Sequence, residues 1–293
     1  MPGTYPHDTD EDDPREKGSK SKGFAHVKRY RIRPGQKVRL NQWDASDTSG
    51  FEGNEKDALD ESERLTKRLE ELQEMLFAEH KHKVLIVLQA MDTGGKDGTI
   101  KHVFEGVNPQ GVRVACYGVP TPDELNHDFL WRYHNQTPVK GGITIFNRSH
   151  YESVLVERVH KLVPEEVWKG RYREINDFER SLCEEGTTII KFYLHIDKDE
   201  QKKRMQDRLD DPTKRWKFGI HDLPERELWS EYMKAYEDAL EKTSTDWAPW
   251  YLVPANNKWF RDVVVSTVIV RTLEKLDMHY PPLDKSIKSV VIK

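Results

Sequence analysis

The chain has 293 residues, of which 36% are hydrophobic and 33% charged, with a formal net charge of −4. That length carries one large domain or two small ones, with a sizeable core under a very polar surface. No run approaches the roughly 18–20 apolar residues of a membrane helix, the acidic balance excludes a generally basic nucleic-acid binder, and two cysteines exclude a disulfide framework.

Residues 1–22 are acidic, then basic, with no apolar core; a disordered tail is expected, not a secretory signal. Residues 23–56, with Pro34, Gly35, Gly50 and Gly53, read as an extended arm lying on the domain or on a neighbour. Residues 55–79 read as a helix, because Leu59, Leu65, Leu69, Leu72 and Leu76 make an apolar stripe among charges. The stripe serves either the subunit's own core or an oligomer interface.

Strands are expected at 84–88, 112–117, 143–146, 188–194 and 250–253. Helices are expected at 99–105, 125–135, 153–161, 175–185, 198–209, 224–242 and 259–276. Strands separated by helices predict an α/β fold with a parallel five-stranded sheet flanked by helices. One domain spans 23–280, and residues 281–293 read as a loose tail. Cys116 falls in a strand and Cys183 in a helix, with no zinc-ligand spacing, so a reducing cytoplasm is expected. In such sheets ligands bind beyond the carboxyl ends of the strands, so 89–99, 118–123, 147–151, 195–198 and 254–257 should share one edge.

The first strand carries the strongest signal. Its apolar run breaks into a turn with Thr93, Gly94, Gly95 and Lys96, and Thr99 opens a helical pattern. This is the strand–loop–helix context of a phosphate-binding loop, where backbone N–H groups and the helix dipole face an anion and lysine adds a point charge. Two positions depart from the usual pattern: Ala90 stands where a first glycine is expected, and Asp97 where a metal-binding hydroxyl is expected. Asp92, inside the loop, suits a Mg²⁺ ligand or an activator of an attacking phosphate oxygen, or else a cap for the loop.

The third strand ends in Asn147-Arg148-Ser149-His150-Tyr151-Glu152. Arg148 suits bidentate phosphate binding, Glu152 suits a metal or a sugar hydroxyl, and Ser149 is a natural helix cap. Residues 198–217 mix Lys202, Lys203, Arg204, Arg208, Lys214, Arg215 and Lys217 with acids, and read either as a mobile lid or as a solvated helix. Trp168 to Arg173 reads as an anion path, a base-stacking surface or a turn before a helix. The twelve histidines show no metal-ligand spacing; His102 and His150 are candidate phosphate donors.

The segments 88–99, 146–152, 174–179 and 211–217 together resemble the family-2 polyphosphate kinases, in order, over roughly residues 25–280. The resemblance implies a P-loop kinase-like fold with a helical lid module at about 198–225. It implies Mg²⁺-dependent (or Mn²⁺-dependent) transfer of a phosphoryl group between inorganic polyphosphate and nucleotides. By that resemblance Asp92, Lys96 and Arg148 are catalytic, with Asp92 the metal ligand. Thr93, Gly94, Gly95, Asp97, Gly98, Thr99, Asn147 and Glu152 bind nucleotide or phosphate, and Lys101, Arg204, Arg208, Lys214 and Lys217 bind polyphosphate. Asn147, His150 and Glu152 resemble the subgroup that accepts both nucleoside mono- and diphosphates. Relatives assemble as dimers or tetramers, and no nucleic-acid or membrane partner is implied. The rival readings are an ordinary ATP-dependent nucleotide or metabolite kinase, against which Asp97 and Asn147 weigh, and a non-catalytic binding module.

Overall fold

The structure, a computed structural model, describes residues 27–219 and 222–283. The expected tail at 1–22 and residues 284–293 of the expected C-terminal tail lie outside the described residues.

Five parallel strands form one sheet in the order β2-β3-β1-β4-β5: β1 is Lys83–Ala90, β2 Val112–Cys116, β3 Ile143–Asn147, β4 Thr187–His195 and β5 Trp250–Pro254. The helices are α1 (Glu55–Glu79), α2 (Lys96–Val103), α3 (Trp131–His134), α4 (Val156–Val159), α5 (Glu165–Glu184), α6 (Lys198–Asp210), α7 (Asp222–Glu227), α8 (Trp229–Thr243) and α9 (Lys258–Glu274).

The period of two along β1 builds two cores. Val84, Ile86, Leu88 and Ala90 pack with Leu65, Leu69, Leu72 and Leu76 of α1 and with Val264 and Val268 of α9. Leu85 and Val87 pack on the other face with Ile175, Phe178 and Leu182 of α5 and Tyr236 and Leu240 of α8. Four residues of the α1 stripe are thus spent inside the subunit, while Leu59 is 58% exposed. Asn54 starts that helix with a capping box shared with Asp57.

The arm lies on its own domain. Ile32 N donates to Trp250 O at 2.8 Å, and an antiparallel bridge joins Arg31 to Tyr251, so the arm covers the free edge of β5. Among the described residues β2 is the opposite edge strand; its Cys116 is exposed, while Cys183 is buried.

Four expected helices differ. Residues 125–135 give only the 3-10 helix Glu124–Asn126 and the single turn of α3, because Asp128 and Thr121 spend their side chains on local backbone N–H groups. Residues 153–161 split into the 3-10 helix His150–Ser153 and α4, the chain breaking at Leu155 (φ −106°, ψ −83°). Residues 224–242 split into α7 and α8. α5 begins ten residues earlier than 175: Pro164 followed by Glu165 and Glu166 is a helix start. Trp168 to Arg173 is therefore helix, not a turn.

Candidate active site

β1 lies between β3 and β4, and Leu88 stands opposite Asn147 in register. The turn after β1 and the turn after β3 therefore meet at one sheet edge, as expected from the topology.

The loop from Met91 to Gly95 is tight. Gly94 N donates to Met91 O at 2.9 Å, and Thr93 and Gly95 take left-handed φ values of 64° and 106°. A Cβ on Gly94 would lie 2.5 Å from Ala90 Cβ. The departure at Ala90 is thus absorbed by the absence of a side chain at Gly94. α2 opens at Lys96, Thr99 N donates to Gly95 O at 2.9 Å, and Lys96 Nζ donates to Ala90 O at 3.0 Å. Thr93 Oγ1 is buried without a hydrogen-bond partner among the described residues, a donor left for a ligand in the loop.

From the β3 side, Arg148 N donates to Leu88 O at 3.2 Å, and its guanidinium reaches Asp92 Oδ1 at 3.0 Å. Arg148 holds a left-handed φ of 61°. Asn147 Nδ2 donates to Asp97 Oδ1 at 2.7 Å, so the carboxylate that departs from the ordinary loop pattern is paired with the end of β3. Burial pushes Glu152 up from the usual carboxylate range, against the pull of Arg148, Lys96 and Gln89. Burial and Arg148 push Lys96 down, while Asp92, Glu152 and Asp97 hold it up. For Arg148, burial favours the neutral form, but Glu152 and Asp92 outweigh it and keep the guanidinium charged. The edge thus alternates two cations with three carboxylates, and one buried hydroxyl is unclaimed.

Other expected site residues go elsewhere. Thr99 is fully buried beside Asp262 of α9. Lys101 and His102 are exposed in the last turn of α2, and Lys101 sits about 7 Å of helix rise beyond Lys96. His150 is fully buried on Glu179, so it is no phosphate donor. Arg204 is not a lid cation: at 6% exposure it donates to Thr93 O, Ala255 O, Asn256 O and Glu200 Oε1, pinning the loop to the end of β5. Arg208 Nη1 donates to Lys217 O, Lys214 pairs with Asp211 at 2.6 Å, and Lys217 lies 5.1 Å from the Trp216 ring centroid. Lys214 and Lys217 remain exposed. In the segment 168–173, Arg171 donates to Ser153 O and Glu157, Lys169 pairs with Glu165, and Arg158 covers the Trp168 ring at 4.3 Å. Arg171 and the Trp168 ring tie α5 to α4 and to the turn before it, while Lys169–Glu165 lies within α5.

Residue patterns missed Arg261. It is 2% exposed, with Nε and Nη2 bonded to Asp262, and a Cβ on Gly95 would lie 2.2 Å from its Nη1. Gly98 lies beside the same guanidinium. Gly95→Ala therefore meets both a clash and a forbidden φ. The expected result is an activity loss of about 10²-fold through misplaced loop N–H groups, measured as initial rate.

Residues 52–281 match the family model described as polyphosphate kinase 2. The chain belongs to this family. It is 57% identical over 267 residues to the AMP/ADP-polyphosphate phosphotransferase of Meiothermus ruber, covering 91% of this chain and 100% of the relative. The ADP-polyphosphate phosphotransferase of Rhodopseudomonas palustris is 45% identical over 87% of this chain and 92% of its own. The crystal structure of polyphosphate kinase 2 from Arthrobacter aurescens TC1 superposes with a TM-score of 0.85 at 44% identity, covering 90% of this chain and 93% of that one. The expected P-loop kinase-like sheet is the fold of this polyphosphate kinase 2 chain.

Behind the site, burial holds His150 below its ordinary value of 6.5, despite Glu179. Burial also opposes ionisation of Glu179, but Lys191 and His150 outweigh it and keep that carboxyl below its ordinary 4.5. A depressed histidine stabilises the fold fully above its unfolded value and less as pH falls below it; a depressed carboxylate acts in the same direction at lower pH. The melting temperature is expected to drop as pH falls from about 7 to about 5, and His150→Phe is expected to flatten that drop in a calorimetric pH series.

Proposed function

We propose that this polyphosphate kinase 2 transfers the terminal phosphoryl group of inorganic polyphosphate to AMP and ADP, forming ADP and ATP, and runs reversibly. One observation carries the reading: Asp92, Lys96 and Arg148 converge at one edge in a chain that matches the full length of a relative named AMP/ADP-polyphosphate phosphotransferase.

A terminal phosphate oxygen of the acceptor attacks the end phosphorus of the chain. One P–O bond forms, the bond to the next phosphate breaks, and the donor leaves one unit shorter. Such transfer passes through a loose, metaphosphate-like state that needs alignment and positive charge more than covalent catalysis. Lys96 and Arg148 neutralise the migrating group, and the N–H groups of Gly95 and Lys96 hold its oxygens. Glu152 supports the mono- and diphosphate acceptors. Gly94, Gly95 and Thr93 line the phosphate; Asp97 and Asn147 hold each other at its side. Arg208, Lys214 and Lys217 supply charge to the donor from above.

The donor set fits Mg²⁺. Asp92 offers a hard carboxylate with one oxygen on Arg148, and the described residues hold no cluster of three or more His, Cys, Asp or Glu that would form a closed cage. Mg²⁺ is commonly held by one or two carboxylates together with substrate phosphates, and Mn²⁺ accepts the same ligands. Asp92 would hold the ion, which supplies charge neutralisation between donor and acceptor phosphates.

The reading includes a cytoplasmic location and a homo-oligomer, dimer or tetramer. Since Leu65, Leu69, Leu72 and Leu76 of α1 are buried within the subunit, they do not serve an interface. No helix among the described residues is long and apolar enough to cross a membrane.

The test is ATP and ADP formation from purified protein, Mg²⁺ and long-chain polyphosphate, with AMP and ADP supplied separately. Product from both is expected. Product from ADP alone overturns the acceptor range; transfer from ATP with none from polyphosphate overturns the donor.

A further inference from the structure

A lysine, a glutamate and a histidine lie wholly out of water behind the site: Lys191 of β4, Glu179 of α5 and His150 each have 0% exposure. Their bonds are made within the cluster, with His150 Nδ1 buried and unpaired among the described residues. Glu179 Oε1 pairs with His150 Nε2 at 3.0 Å and accepts from Tyr151 OH at 2.8 Å, and Glu179 Oε2 accepts from Lys191 Nζ at 2.6 Å. Lys191 Nζ spends its remaining N–H groups on Tyr151 OH at 2.9 Å and Thr243 O at 2.7 Å. Trp250 packs edge-on to Tyr151 and donates to Thr243 Oγ1 at 2.9 Å. One cluster joins α5, β4, the end of α8 and β5 to the turn after β3.

A buried ion pair is a weak source of stability, since apolar groups of the same volume often serve as well. Its location indicates another use. His150 and Tyr151 are the second and third residues after Arg148, and Tyr151 immediately precedes Glu152. The cluster grips the middle of a five-residue span whose two ends carry the site's arginine and its half-buried glutamate. The span needs a grip, because Arg148 sits at φ 61°, a conformation a non-glycine residue leaves unless its surroundings hold it. Ser149, fully buried, adds a second hold by accepting from Gln89 Nε2 at 3.1 Å and Tyr151 N at 3.3 Å.

We propose that the buried Glu179–Lys191 pair is a positioning device for Arg148 and Glu152, fixing the turn between them through His150 and Tyr151. Neither Glu179 nor Lys191 touches substrate. The inference rests on the proposed reaction for its kinetic readout and on backbone protection for a readout independent of that reaction.

The test compares the parent enzyme with a double variant, Glu179→Leu with Lys191→Met, which removes the charges together and keeps the volume. The double variant is expected to melt cooperatively near the parent. Its kcat with polyphosphate and AMP should fall about 10²-fold, with KM for AMP changed less than about threefold, as displacement of a positioned group requires. Amide hydrogen exchange at residues 149–152 should speed up about tenfold or more while β1 keeps its protection. Tyr151→Phe, which removes the hydroxyl without changing charge, should show the same split at about a tenth of the parent kcat, and it decides the matter if the double variant does not fold. A kcat within about twofold of the parent in the folded variant tested overturns the proposal, as does faster exchange spread equally over β1. If the parent makes no product from polyphosphate, the proposed reaction fails, and the exchange comparison alone decides the positioning role.

Discussion

Asp92→Asn is expected to lower kcat by about 10³-fold or more while the protein stays folded. The amide keeps the shape of the side chain but removes its charge. That charge faces Arg148 at 3.0 Å and belongs to the only carboxylate within the tight loop between β1 and α2. Without it, the site loses the proposed ligand for a divalent cation, and Arg148 loses the partner that aims its guanidinium. The Asp92–Arg148 pair is partly exposed, with side-chain exposures of 31% and 41%, so stability should change little. Coupled ATP formation with polyphosphate, alongside a melting curve, checks both halves. A folded variant with near-parental turnover would remove Asp92 from the mechanism.

The second large effect is expected at Lys96. Lys96→Met removes the one cation at the first position of α2, where loop N–H groups and the helix dipole already favour an anion. Loss of such a preorganised charge typically costs about 10²–10³-fold in kcat. Lys96→Arg should not restore activity. The Nζ–Ala90 O bond at 3.0 Å is made inside a turn that seats a point charge, and a planar fork is larger and differently directed. Steady-state kcat and KM for polyphosphate, measured for both variants, give the result; recovery by arginine would show that charge alone matters there.

The order of strands and helices was legible because each strand is a short apolar run and α1 carries a 3.6-residue stripe among charges. The loop was legible because paired glycines and a lysine after such a run have few other uses. Side-chain engagement was harder to read. Arg204 and Arg208 stand four apart on one helix, and nothing in their spacing says that the first is buried under the loop while the second faces outward. Tertiary packing makes that distinction. Lys191 did leave a signal: a lone lysine in the middle of an apolar strand demands a buried partner. Glu179, on an adjacent helix of mixed polarity, is that partner. Arg261 left none, being one of two cations in the first four residues of α9, with neighbours that only the fold reveals.

Arg204 holds Thr93 O, Gln201 Nε2 holds Asp92 O, Lys96 Nζ holds Ala90 O, and Arg261 fills the space beside Gly95. Each of these contacts is made by the protein's own groups and needs no anion. The conformational entropy of the loop is therefore settled when the chain folds rather than when phosphate arrives. Phosphate binding then costs little ordering of the backbone, and its affinity goes into contact energy. Calorimetry of short polyphosphate binding should accordingly show a small entropic penalty, with the salt dependence of a charged cleft and without the signature of a segment that folds on binding.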